Sequence, residues 1–357
     1  MINWLSTAMP SFVDKRTVLA ASLAIVIAFT GCSPKDNTPD VSGIKVELRT
    51  KRFDKAFAAI DTLHIADGLK QLKATYPEFT DFYLDTLLGL GVNGNYTDTN
   101  QAISGAVHSF LTHKDYRGLS DTIAKHYPDT KDVDADLTKG FQYYKYYFPA
   151  YHVPTIVYNS YWLNKMGVFT YDTTLIGICL DMFLDTTYPY YKSVGVPAYL
   201  NVQLTRAYIP VALFKTLYRN DHPFEMDNRS LLDMMLQRGV EAYYIEKVLP
   251  FLPAETRLGF SEDQLKWCSE NEEGIYSFFI KQNYLYETNW QKILRYVMEG
   301  PNAAGMSEKS PGEVGTWLGL QIVKAYMNEH PKLSLADLVK SPIDAQRFLQ
   351  ESKYKPK

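Results

Sequence analysis

Cysteine is scarce in this chain: Cys32, Cys179 and Cys268 are the only three in 357 residues, and none forms a C-x-x-C pair. That spacing excludes a disulfide-stapled scaffold and a thiolate zinc site. A basic surplus is also missing, because 37 Lys and Arg face 40 Asp and Glu for a formal charge of -3. Nucleic-acid binding by phosphate neutralisation is therefore not expected. None of the seven histidines sits in an H-E-x-x-H, and there is no G-x-S-x-G elbow and no Walker loop. Conventional zinc hydrolysis, serine-hydrolase chemistry and Walker-type nucleotide binding lack their signatures, and no cofactor is expected.

What is present is apolar material, 46% of residues with 14% aromatic, enough for a large core and too much for a disordered chain. At the N-terminus, Lys15 and Arg16 precede an apolar run from Val18 to Phe29, shorter than the roughly 20 residues of a membrane span. Thr30-Gly31-Cys32 follows, so residues 1–31 read as a signal peptide with a small-residue cleavage site. The pattern resembles a bacterial lipoprotein signal, with Phe29 in place of the usual Leu or Val. It implies acylation at Cys32, palmitate included, and several acyl chains at about 0.8 kcal/mol per buried methylene hold a domain stably. The alternative is a plain secretory signal with Cys32 as an ordinary thiol. Residues 32–43 hold two prolines and little apolar material, the composition of a flexible tether.

From residue 44 the pattern is that of a folded domain. Ile44 to Leu48 alternates as a half-buried strand, Asp67 stands where it would cap a helix ending before Pro77, and Phe79 to Gly140 reads as mostly helical. Thr155–Tyr158, Val168–Tyr171 and the continuous run Leu175–Leu184 read as strands of a small mixed sheet. Beyond Ile209 the period is helical, including Arg229 to Val248 with Asp227 or Asn228 as cap and Gly315 to Asn328. In the latter, Gly315 and Gly319 on one stripe predict close packing against the former. The fold class is α+β, a helix-rich single domain spanning 44–357.

Two acidic pairs, Asp181 with Asp185 and Glu241 with Glu246, have the residue types of acid–base chemistry. Surface carboxylates are the plainer reading. Tyrosine is abundant, at 27, and concentrates in Tyr143–Tyr147 and Tyr188–Tyr191. Such clusters serve stacking and interfaces, or simply line a core with wet edges.

Several uncommon strings occur in order: Ile176–Leu184, Tyr188-Pro189-Tyr190-Tyr191, Trp267-Cys268-Ser269-Glu270-Asn271-Glu272, Ser310–Met327 and Ser352–Pro356, with Arg52-Phe53-Asp54 near the start. Together they resemble the gliding motility-associated lipoprotein GldB family along essentially the whole chain. The resemblance implies a lipid-anchored cell-envelope component of the gliding machinery with no established catalytic activity, and with the missing ligands it points to a non-catalytic role. Ser33-Pro34-Lys35-Asp36 has neither an Asp directly after Cys32 nor an acidic run, which favours the outer membrane, facing the periplasm. Its implied partners are other gliding proteins, GldC among them. Glu313 and Lys324 stand where the family leads us to expect arginines.

The layout also resembles a zincin-type peptidase fold lacking its metal site. The helix Pro210 to Leu217 would correspond to the metal-binding one and has neither His nor Glu, and Arg238 replaces the expected Glu before Gly239. That likeness implies a cleft along an edge at Leu180–Leu184, and the candidate cleft residues are Asp181, Tyr191, Glu241 and Trp317. The competing function is an envelope hydrolase acting on peptide or glycan through this cleft.

Overall fold

Strand pairing organises the chain. A computed structural model describes residues 38–357. The expected signal peptide, Cys32 and the first half of the tether lie outside the described residues. Strands β1 (Thr50–Arg52), β2 (Thr155–Asn159), β3 (Val168–Thr170) and β4 (Leu175–Cys179) form one mixed sheet in the order β1-β2-β4-β3. The pairs β1–β2 and β2–β4 are parallel, with Thr50 opposite Ile156 and Ile156 opposite Ile176, and β3 is antiparallel to β4 at the edge. The two-residue period sends Ile156, Tyr158, Ile176 and Ile178 to one face, and Val157, Leu175 and Cys179 to the other with Phe169. Because helices cover both faces, β4 carries no polar alternation.

The smaller core is built by α1 (Phe53–Ala58), α2 (Ile65–Thr75) and the helical turns Phe79–Asp81 and Phe82–Leu87. Phe53 is its hub, with ring centroids 4.7 Å from Tyr83, 4.8 Å from Phe79 and 5.2 Å from Tyr76. The helical expectation for this region holds. Two details differ. Asp67 lies inside the first turn of α2, whose cap is His64. The expected strand Ile44–Leu48 keeps its alternation, with Ile44, Val46 and Leu48 half-buried between exposed Lys45 and Glu47, yet it joins no ladder. Val46 and Leu48 pack on the larger core, and pairing begins only at Thr50.

On the other face, α3 (Lys114–His126), α4 (Lys131–Tyr147), α5 (Ile209–Asp221), α6 (Leu231–Val248) and α7 (Val314–Glu329) enclose the larger core. Helix α6 is buried nearly all round, its apolar residues spread over every face and Arg238 and Glu241 buried among them. Its cap is Ser230, in a reciprocal box with Asp233, rather than Asp227 or Asn228. Where α6 crosses α7, glycine removes the side chains that would hold the backbones apart. A Cβ on Gly319 would stand 1.9 Å from the Met235 carbonyl oxygen, and one on Gly239 would stand 2.4 Å from the Gly319 carbonyl carbon. The small-residue stripe therefore is a close helix crossing, the spine of the domain.

The run Leu175–Leu184 does not continue as a strand. Pairing stops at Cys179, and Leu180–Met182 is a buried 3-10 turn. The cause is Asp181, whose carboxylate turns inward to accept the backbone N–H of Tyr161 at 3.1 Å and of Leu163 at 2.5 Å. The expected cleft along Leu180–Leu184 is thereby corrected: the whole stretch is buried, and the free edge beside β4 belongs to β3.

Candidate functional site

Helix α5 opens with Pro210 in its first turn and buries Ile209, Val211, Leu213 and Phe214. That apolar anchoring fixes the rotation of the helix, and Lys215 and Arg219, one turn apart, then share a face. Helix α6 brings Arg238 and Glu241 towards them, and the residue that precedes α7, Glu313, completes the group. Arg219 donates to Glu241 from Nε at 3.0 Å and from Nη2 at 2.7 Å, while Arg238 Nη1 donates to the same carboxylate at 3.1 Å. The Arg238 guanidinium also lies over the Phe224 ring at 4.1 Å. Glu241, Arg238 and Glu313 are each less than a tenth exposed, whereas the Arg219 side chain is 41% exposed.

Burial works against charge on Glu241, but Arg219 first, with Lys215 and Arg238, outweighs it and holds the carboxyl below its ordinary range. Lys215 hydrogen-bonds the Tyr208 hydroxyl at 3.1 Å. Burial opposes its charge too, and the field of Tyr208, Glu313 and Glu241 raises it above the usual lysine value. Glu313 goes the other way: burial pushes it up to about 7, Lys215 pulls it back and Glu299 adds to the rise. Two buried atoms here, Arg238 Nε and Thr316 Oγ1, have no hydrogen-bond partner.

In a two-helix metal site, one helix supplies ligands at i and i+4 and a carboxylate faces them from the next. Here Lys215 and Arg219 hold the i and i+4 positions, so the facing Glu241 is neutralised by guanidinium. Doubly engaged and ionised, Glu241 is a poor proton acceptor. No group of three or more His, Cys, Asp or Glu among the described residues is arranged to hold a metal ion.

Beside this cluster lies a cavity of about 310 Å³ between the sheet edge and α5. Val168 of β3, Lys215 and Arg219 of α5, and Glu299 line it, with Phe183 and Leu204 among its apolar residues. The sheet edge and the charged helix face thus open into one space.

The four residues expected to form a cleft do not share one. Asp181 is fully buried, and burial pushes it up to about 6 against its backbone hydrogen bonds. Tyr191 joins it, donating to the Asp181 carbonyl at 3.0 Å and accepting from the Leu184 N–H at 2.8 Å. Through the Tyr161 and Leu163 N–H groups, the Asp181 carboxylate also ties down the segment that leads into β3. Glu241 lines a different cavity, next to His222 and Phe224. Trp317 lines a third, with Lys324 and Glu246, which pair at 2.7 Å. Asp185 accepts from the adjacent Thr186 N–H. Cys179 and Cys268 are both buried and free, and the Cys179 thiol donates to Asn159. Of the first tyrosine cluster, Tyr143 and Tyr144 are buried and Tyr146 faces outward.

Sequence reasoning missed Lys215, Arg219, Glu299 and the outer edge at Val168. The available signal was a pair of cations one turn apart on an otherwise apolar helix.

Searches of curated proteins and of solved structures returned no match. The family model described as gliding motility protein GldB matches residues 34–356, nearly the full length, and the chain belongs to that family.

Proposed function

We propose that this protein is a lipid-anchored, non-catalytic binding component of the gliding apparatus, held by acyl chains on Cys32 at the outer membrane and facing the periplasm. Its partners are other gliding proteins, GldC among them, and the cavity between β3 and α5 is where it takes hold of one. The observation that carries this reading is the Arg219–Arg238–Glu241 ion group with Lys215 beside it, where the positions suited to ligands are filled by cations and the carboxylate suited to a general base is held by two guanidinium groups. Family membership supports the link to motility. The anchoring rests on the lipoprotein-type signal, and no helix among the described residues is long and apolar enough to cross a membrane.

The test uses full-length protein purified in detergent and incubated with casein, and separately with peptidoglycan fragments, with and without added zinc. Unchanged masses of both are expected. Turnover that disappears in Glu241→Gln would overturn the non-catalytic reading.

A further inference from the structure

The ladder on β3 leaves one side open. Cys179 N–H donates to the Gly167 carbonyl and Tyr171 N–H donates to the Leu175 carbonyl. In an antiparallel pair the bonded residues alternate, so Phe169 also bonds towards β4, while Val168 and Thr170 turn their N–H and C=O groups outward. Among the described residues no partner takes those outward groups. An edge of this kind is a template for another strand.

The chemistry next to the edge selects what that strand carries. Side chains of an added strand alternate between the two faces. Every second one therefore lies on the face where Val168 meets α5, and there it reaches the cavity that holds Lys215. The Lys215 ammonium has three donors. It gives one to the neutral Tyr208 hydroxyl, and no carboxylate lies within ion-pair distance of it among the described residues. Lys165 and Arg219 add positive charge to the same lining, against the single carboxylate of Glu299. The volume, about 310 Å³, suits a few residues of extended chain, not a folded domain.

We infer that the cavity binds an extended, acidic segment of a partner protein, which adds as a strand to the outer edge of β3 and places an Asp or Glu carboxylate on the Lys215 ammonium. This rests on the non-catalytic reading above, and deepens it by naming the ligand.

The probe is a fluorescein-labelled, capped peptide of alternating Val and Thr with one central Glu, titrated by anisotropy against the full-length protein in detergent. Its Gln counterpart should bind about tenfold more weakly, the loss of one charge-assisted hydrogen bond. In Lys215→Met the two peptides should bind equally. A third probe, N-methylated on the amides that face β3, should not bind, and this arm needs no protein variant to fold. Equal affinity of the Glu and Gln peptides for the wild type, or a preference that survives Lys215→Met, would overturn the carboxylate assignment. Full binding of the N-methylated probe would overturn strand addition, and no binding of any probe would overturn both. Mass spectrometry of the recovered probe separates the two levels: an intact mass leaves the non-catalytic reading standing, whereas cleavage sinks that reading itself.

Discussion

Replacing Gly319 by alanine tests the packing on which every other element depends. The new Cβ would sit 1.9 Å from the Met235 carbonyl oxygen and 2.7 Å from its carbon, both backbone atoms of α6 that cannot swing aside. Restoring ordinary contact, which begins near 3.4 Å, requires the helices to part by about 1.5 Å locally. A gap of even 0.5–1 Å forfeits about a quarter to a half of the dispersion well. That loss falls on a buried seam that includes Leu236, Val240, Leu318 and Ile322. Overpacking of this sort costs about 1–3 kcal/mol, partly offset by about 1 kcal/mol of better helix propensity for Ala over Gly. Gly319→Leu adds three more carbons at the same point and should destabilise further. Gly118, in α3, is the internal control, because a Cβ there meets nothing within 4 Å, and Gly118→Ala should gain about 0.5–1 kcal/mol. Urea unfolding followed by circular dichroism measures all three variants. Gly319→Ala as stable as the wild type would refute the close crossing of α6 and α7.

Other consequences follow from the charges and the anchor. Burial raises the Glu313 carboxyl from 4.5 to about 7, so between those values the native state holds a proton that the unfolded chain has released. Stability then falls as pH rises through this window, by on the order of 1–3 kcal/mol. Glu313→Gln removes that contribution, and its advantage over the wild type in urea midpoint should be larger at pH 8 than at pH 5; equal differences would contradict the assignment. Glu241→Ala leaves the buried Arg238 guanidinium without its carboxylate and should cost about 3–5 kcal/mol, read in the same unfolding experiment. Cys32→Ser removes the acylation point and should send the protein to the soluble envelope fraction or leave its signal uncleaved, as membrane fractionation and immunoblotting would register; a processed protein that stays membrane-bound would rule out Cys32 as the anchor.

Much of the architecture could be read from periodicity. The helical second half, the strands at Thr155 and Val168, and the glycine-lined crossing each announced themselves by local spacing that packing then reinforced. Errors fell where a single polar contact overrode a pattern. Leu180–Leu184 is as apolar as the strand it follows, yet Asp181 ends that strand by binding two N–H groups some twenty residues upstream. Ile44–Leu48 has strand alternation without a neighbour to pair with, since alternation reports a half-buried face and not a ladder. The site was less legible. Asp181 and Glu241 drew attention as carboxylates, but their partners come from segments distant in sequence, Tyr161 in one case and Arg219 in the other. Lys215 passed unnoticed because a lone lysine on a helix is usually solvated, and only the sheet edge next to it gives it a direction.

Whether this protein meets its partner at the cleft between β3 and α5 is decided by site-specific photocrosslinking in intact cells. A benzophenone side chain is placed at Val168, and in a second strain at Gly274, where the surroundings are open. After irradiation, an adduct is expected from position 168 alone, with the crosslinked partner peptide carrying Asp or Glu within two residues of the attachment point. The adduct should weaken when Lys215→Met is introduced. Equal adducts from both positions, a partner segment without acidic residues, or an adduct indifferent to Lys215 would contradict this docking.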